Sequence, residues 1–257
     1  MYHRSIIQHL TRFRRYSRSA LFVFVSALII TGCSKSNEPA PEPEPPVVPG
    51  SVAFNKLITV SNFGEALPEG SQPLDDQAPI YFSLENNGSV PLDYKRTSRW
   101  DVSFAGTYRS FMGGNNGSNP LNLGTGGPGK GGIMVLEKNF DQVTDVPTDE
   151  QFKTGSTLIG ADASGAYGMG TGYYYYDFDG KGKGDGSYEY QHVAYALQDT
   201  RTVIVRTANG NYAKIKMQSI YKDLLDPATW RRNSPHPYFS FQYVLAKAGS
   251  KKFTIDK

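Results

Sequence analysis

Residues 51–257 are predicted to form one mainly β, antiparallel domain with little helix, and three observations carry that reading. Apolar and polar residues alternate with period two: Trp100, Val102 and Phe104 against Asp101 and Ser103, and Phe239, Phe241, Tyr243 and Leu245 against Tyr238, Ser240 and Gln242. Two apolar runs, Val203–Arg206 and Tyr212–Met217, flank Asn209-Gly210, a dipeptide suited to the positive φ angles of a tight hairpin turn. Aromatic residues make up 13% of the chain and glycine is frequent, with 27 residues, a composition suited to packed strands joined by turns.

The segments before this domain read differently. Arg12, Arg14, Arg15 and Arg18 precede the apolar run Ala20–Ile30, no acidic residue occurs before Glu38, and Ile30-Thr31-Gly32-Cys33 follows. That order is cationic region, apolar region, small residues and cleavage point, the layout of a bacterial export signal ending in a lipobox. Residues 1–32 are therefore expected to be removed and Cys33 to carry lipid. The competing reading is a retained transmembrane helix, but an apolar core of about a dozen residues falls short of the roughly 20 that a span needs. Residues 33–50 follow as lipidated cysteine and tether: Ser34–Gly50 holds six prolines, which remove backbone donors and favour an extended, hydrated chain.

Removing the signal changes the charge. With Arg4, Arg12, Arg14, Arg15 and Arg18 gone, the 27 basic residues fall to 22 against 24 acidic ones, a net charge of −2. No nucleic-acid partner is expected of such a chain. Cys33 is the only cysteine, so once it is alkylated neither disulfide nor thiol chemistry remains.

Within the domain, one face of each alternating strand is expected to be buried, with Ala213, Ile215 and Met217 sharing a core face. Leu224–Arg231 can form a short helical turn, begun after Asp223 or by Asp226-Pro227. Phe111–Gly132, rich in glycine and asparagine, and Asp177–Gly186, with four glycines among charges, are expected to be exposed loops.

Several motif likenesses fail on inspection. Gly124-x4-Gly129-Lys130 resembles a phosphate loop, but Gly131 stands where Ser or Thr is needed. Asp177-x-Asp179 with Gly182 imitates a calcium loop, but Lys181 and Tyr188 occupy the fifth and twelfth places. No catalytic spacing links serine, histidine and acidic residues, and no enzymatic activity is expected.

Few residues could bind a soft or borderline metal. Met134 and Met217 sit in apolar strand patterns and read as core. His236, in Pro235-His236-Pro237, reads as a solvated turn residue. Met169 stands apart, because Gly168-Met169-Gly170 gives it neither helical nor strand context and exposes it beside Tyr173–Tyr176. His192 follows Tyr188 and Tyr190 at two-residue spacing, which would put all three on one strand face.

Several segments in order resemble the HmuY family of haem-binding lipoproteins from Bacteroidota. They are Trp100-Asp101-Val102-Ser103-Phe104; Gly129-Lys130-Gly131-Gly132; Asp141-Gln142-Val143-Thr144 through Val146-Pro147-Thr148-Asp149; Val203–Gly210 with Tyr212-Ala213-Lys214; and Tyr238–Tyr243. The resemblance implies an HmuY-like β domain with protruding hairpins that hold haem b non-covalently through two axial side chains. It further implies haem and iron acquisition without catalysis, from haem-carrying host or environmental proteins toward a TonB-dependent outer-membrane receptor. The implied location is the outer membrane, lipid-anchored, on its periplasmic or cell-surface face. Best-known members use two histidines. Here the second place suits His192, while Phe152–Gly172 contains no histidine and offers only Met169. Methionine with imidazole is a workable iron pair. The alternative is a non-haem surface binding or structural lipoprotein on the same scaffold.

Overall fold

The computed structural model describes residues 52–67 and 77–256. The signal segment 1–32, Cys33 and the tether to Gly50 lie outside the described residues. Eleven strands are present among the described residues: β1 (Ile58–Gly64), β2 (Ile80–Ser83), β3 (Gly88–Val90), β4 (Val102–Ala105), β5 (Phe111–Gly114), β6 (Gly132–Leu136), β7 (Tyr174–Asp177), β8 (Val193–Ala196), β9 (Thr202–Arg206), β10 (Tyr212–Ser219) and β11 (Tyr238–Ala246). They form a five-stranded sheet in the order β1-β11-β10-β9-β6, a four-stranded sheet β3-β2-β4-β5 and the two-stranded ribbon β7-β8. Every strand pair in the three is antiparallel. The fold class is thus mainly β, and among the described residues the helical segments are three-residue 3-10 turns.

The two larger sheets pack face to face through aromatic side chains. Phe104 stacks on Phe239 at 4.1 Å between ring centroids, Phe82 meets Phe241 edge-on at 5.3 Å, and Phe63 meets Phe82 at 4.9 Å. Ala213, Ile215 and Met217 do share this core face, with Val203 and Val205 beside them. Truncating one such ring, as in Phe104→Ala, removes roughly 3–5 kcal/mol of stability.

The expectation of one buried face per strand is corrected, because the central strands are covered on both sides. Val143, Phe152, Ile204, Tyr212, Ala246 and Phe253 form a second core on the outer face of the five-stranded sheet, with Met134 against it. Lys214 is buried there too. Its Nζ donates to the carbonyls of Phe140 at 2.9 Å and Val143 at 3.0 Å and lies 4.2 Å from the Phe140 ring centroid.

Asp101 and Ser103, expected on a wet face, are likewise buried. Asp101 accepts from the amides of Leu84 at 2.7 Å and Glu85 at 3.2 Å through one carboxylate oxygen, and from Ala208 at 3.0 Å through the other. Glu85 in turn accepts from Thr207 Oγ1, Asn209 Nδ2 and Asn211 Nδ2 at 2.7–2.8 Å. The two carboxylates fasten the β9–β10 turn to the four-stranded sheet. That turn is a hairpin as expected, but not a two-residue one. The Gly210 amide donates to the Thr207 carbonyl at 3.0 Å, Thr207 and Asn211 pair at 2.8 Å, and only Gly210 has positive φ, at 87°. A three-residue loop of this kind needs just one left-handed residue.

The glycine-rich segment is not an exposed loop. Phe111–Gly114 is β5, and Asn115, Asn116 and Asn122 are buried, their side chains bonded to the backbone of Thr97, Trp100, Gly114, Gly131 and Thr154. Glycine is required where backbones touch: a Cβ on Gly114 would lie 2.7 Å from the Gly132 carbonyl carbon. In the same segment the Gly126, Gly127 and Lys130 amides donate to carbonyls of Gly117, Gly124 and Ala208, so they are already committed within the chain. Pro227–Thr229 forms the short helical turn expected after Asp226, whose carboxylate accepts from the Ala228 amide. Among the described residues, no helix is long and apolar enough to cross a membrane.

Candidate functional site

Both residues singled out as iron ligands lie on loops that flank β7. The first loop runs from Asp162 to Gly172 and is closed by Asp162 itself. One carboxylate oxygen accepts from the Ser164 amide and hydroxyl at 3.0 and 2.7 Å, the other from the Gly172 amide at 3.1 Å and Arg201 Nε at 2.9 Å. Burial opposes the charge, but the bonds from Ser164, Arg201 and Gly172 prevail and hold this carboxyl at about 2. The loop is joined to β7 by the Asp162 amide to the Tyr174 carbonyl at 2.7 Å and the Ala166 amide to the Tyr176 carbonyl at 2.9 Å. Met169 sits beyond these anchors, where the Ala163 amide meets the Gly170 carbonyl at 2.7 Å, and it is 99% exposed.

The second loop joins β7 to β8 and carries His192 at its end. Asp177, buried at the end of β7, accepts from the Gly182 and Lys183 amides at 3.2 and 2.8 Å, which occupies the oxygens that the calcium-loop likeness would have used. Beyond it Tyr188–Tyr190 form a 3-10 turn, and His192 has φ 60° and precedes β8. The expectation that Tyr188, Tyr190 and His192 share a strand face is therefore corrected. The Ser187–Gln191 turn breaks the period-two pattern, and its own N–H groups bond locally, Tyr190 to Ser187 and Gln191 to Tyr188.

Tyr176 stands between the two loops. Its hydroxyl is 2.8 Å from His192 Nδ1, and its ring centroid is 6.0 Å from that of Tyr167 in the first loop. Phe178 completes the group, edge-on to both His192 at 4.8 Å and Tyr167 at 5.6 Å. The segments bearing Met169 and His192 thus meet on one aromatic cluster, while the Met169 thioether itself projects into solvent.

The electrostatics keep the pair neutral. Burial, aided by the neighbouring tyrosines 108, 174 and 167, pushes the Tyr176 hydroxyl up to about 12, so it remains a phenol. Burial and the charge of Arg232 lower the His192 pKa and favour neutral imidazole, the form that binds metal. When Nδ1–H donates to the Tyr176 oxygen, the Nε2 lone pair is left for a ligand.

Sequence reasoning missed three contributors. His236 is not a solvated turn residue. Its Nδ1 lies 2.7 Å from the Ser234 carbonyl, and its ring meets Tyr108 and Tyr221 edge-on at 5.2 and 5.8 Å. Tyr108 and Arg232 also belong to this region, since both act electrostatically on Tyr176. Tyr108, Tyr167 and His192 all have positive φ, between 51° and 60°, a costly conformation that surrounding structure must impose. No local spacing signals it.

The chain matches the family model described as HmuY protein over residues 75–241. Among solved structures, it is similar to an apo HmuY analog of Tannerella forsythia, at 13% identity over 75% of this chain and 98% of that one, with a TM-score of 0.35. A Bacteroides fragilis protein assigned as a lipoprotein is similar at 12% identity over 74% and 91% of the two chains, with a TM-score of 0.33. No curated protein matches. With the match spanning more than half of its residues, from the end of the segment before β2 into β11, this chain belongs to the HmuY family.

Proposed function

We propose that the chain is an outer-membrane-anchored lipoprotein, attached through Cys33, that binds haem non-covalently for haem and iron acquisition. Membership of the HmuY family, whose resemblance implies a haem-binding lipoprotein, supports this reading. The observation that carries the reading here is a half-buried imidazole set among exposed aromatic side chains. His192 is bonded to Tyr176 at 2.8 Å, Phe178 stands edge-on to it at 45% exposure, and Tyr167, at 76%, packs on both Tyr176 and Phe178. Exposed apolar groups around a metal-ligating nitrogen suit a flat, amphipathic iron porphyrin. In this reading His192 is one axial ligand and Met169 the other. Bound haem would supply an iron that His192 and Met169 would hold, and a soft thioether would favour its ferrous state.

A visible-absorption titration of the purified protein with haem tests this. A low-spin, six-coordinate spectrum is expected, with tighter binding after reduction. One observation favours a second reading, a non-haem surface binding or structural lipoprotein: the Met169 side chain is 99% exposed. Absence of a specific spectrum in either oxidation state would establish that second reading over the first.

A further inference from the structure

Among the described residues, the guanidinium of Arg232 is a strong donor group that no ion pair or hydrogen bond takes up, and it lies over the Tyr188 ring of the loop that carries His192. Its backbone is fixed, the amide donating to the Glu189 carbonyl at 2.7 Å, which ties the segment after Trp230 to the turn carrying Tyr188 and Tyr190. Its side chain lies over the Tyr188 ring, with Cζ 4.4 Å from the centroid. The neighbouring Arg231 is committed differently. Its Nη1 donates to the Ala228 and Trp230 carbonyls at 2.8 Å, its Nε is 4.0 Å from Glu189, and Cζ lies 4.3 Å from the Tyr190 centroid. Among the described residues, no carboxylate lies within ion-pair distance of Arg232 and its guanidinium makes no hydrogen bond.

This half-buried group keeps its N–H donors free while its cation lies over the Tyr188 ring. Its charge acts on both His192 and Tyr176. A planar fork of donors matches a carboxylate, which accepts two parallel hydrogen bonds. We propose that Arg232 is the acid-binding residue of this site, holding a carboxylate of the ligand while His192 holds its metal. The proposal rests on the haem-binding reading and adds a requirement that the porphyrin carry a free acid group.

The test compares wild type, R232A and R232K, each as the full chain in detergent, titrated with ferric mesoporphyrin and with its dimethyl ester. R232A should bind the diacid about tenfold more weakly than wild type, a charge-assisted pair discounted for partial exposure. R232A and wild type should bind the ester alike, and R232K should recover part of the loss. Equal affinity of R232A and wild type for the diacid overturns the proposal while leaving haem binding intact. An equal loss of diacid and ester also overturns it, since that marks a structural role. If wild type gives no histidine-ligated spectrum with either compound, the haem-binding reading fails and the proposal falls with it.

Discussion

Tyr176 Oη and His192 Nδ1 lie 2.8 Å apart across the mouth of the β7–β8 ribbon, so one phenol orients the imidazole at the loop end and also packs against Tyr167 of the other loop. If that bond selects the Nδ1–H tautomer, Tyr176→Phe should weaken haem binding several-fold, as loss of a hydrogen-bonding partner behind a metal-bound histidine does. His192→Ala should abolish the six-coordinate spectrum. Tyr176→Phe should keep that spectrum at saturating haem, which separates orientation from ligation in a single absorption titration.

Met169 gives a complementary prediction. Its side chain makes no core contact, so Met169→Ala should leave the unfolding midpoint unchanged within error. The haem complex should turn five-coordinate or water-ligated. The control Met217→Ala should behave in the opposite way, costing about 2–5 kcal/mol through a core cavity and leaving the spectrum alone. A low-spin six-coordinate spectrum retained by Met169→Ala would exclude Met169 as ligand.

Stability should depend on pH through Asp101. Burial and then the charge of Glu85 raise its pKa to about 7, against the amides of Ala208, Glu85 and Leu84, which favour the carboxylate. A carboxyl with a raised folded-state pKa contributes stability that is full below its unfolded value of about 4 and lost as pH rises through about 7. Urea unfolding should therefore show wild type losing stability relative to Asp101→Asn between pH 4.5 and 7.5, by a few kcal/mol at most. Asp162 works in the other sense, since its pKa is held at about 2 and its contribution is present above about 4 and lost in stronger acid.

Two glycine substitutions should fail for different reasons. Around Gly210 the nearest atom to an added Cβ is Arg206 Nη2 at 3.9 Å, so Gly210→Val costs backbone strain at φ 87°, roughly 1 kcal/mol or more. At Gly114 the added Cβ would meet the Gly132 backbone at 2.7–2.9 Å, so even Gly114→Ala should cost more, about 1–3 kcal/mol or above, by forcing β5 from β6. Equal midpoints for Gly114→Ala and wild type in urea would contradict the close approach.

Attachment is tested at Cys33. The wild-type chain should fractionate with membranes and incorporate labelled lipid, and Cys33→Ala should lose the label. Equal labelling of the two would refute lipidation at this residue.

How much was legible in advance depended on the range of the interactions involved. Alternation over Val203–Arg206, Tyr212–Met217 and Tyr238–Leu245 gave the strands and the shared face of Ala213, Ile215 and Met217, because side-chain direction in a strand is fixed by its nearest neighbours. Asp226-Pro227 likewise marked its short turn. The sequence alone therefore determined the antiparallel β class, the positions of β4, β9, β10 and β11, and the family. Tertiary structure decided what depends on distant segments: burial of Asp101 and Lys214 on second faces, the ordered packing of the glycine-rich segment, and the turn that keeps Tyr188, Tyr190 and His192 from sharing a strand face. It also gathered His192, Tyr176, Tyr167 and Arg232, which are spread over 66 positions of the chain, around β7. No local pattern encodes such a gathering, since it follows from how loops pin to one ribbon through Asp162 and Asp177.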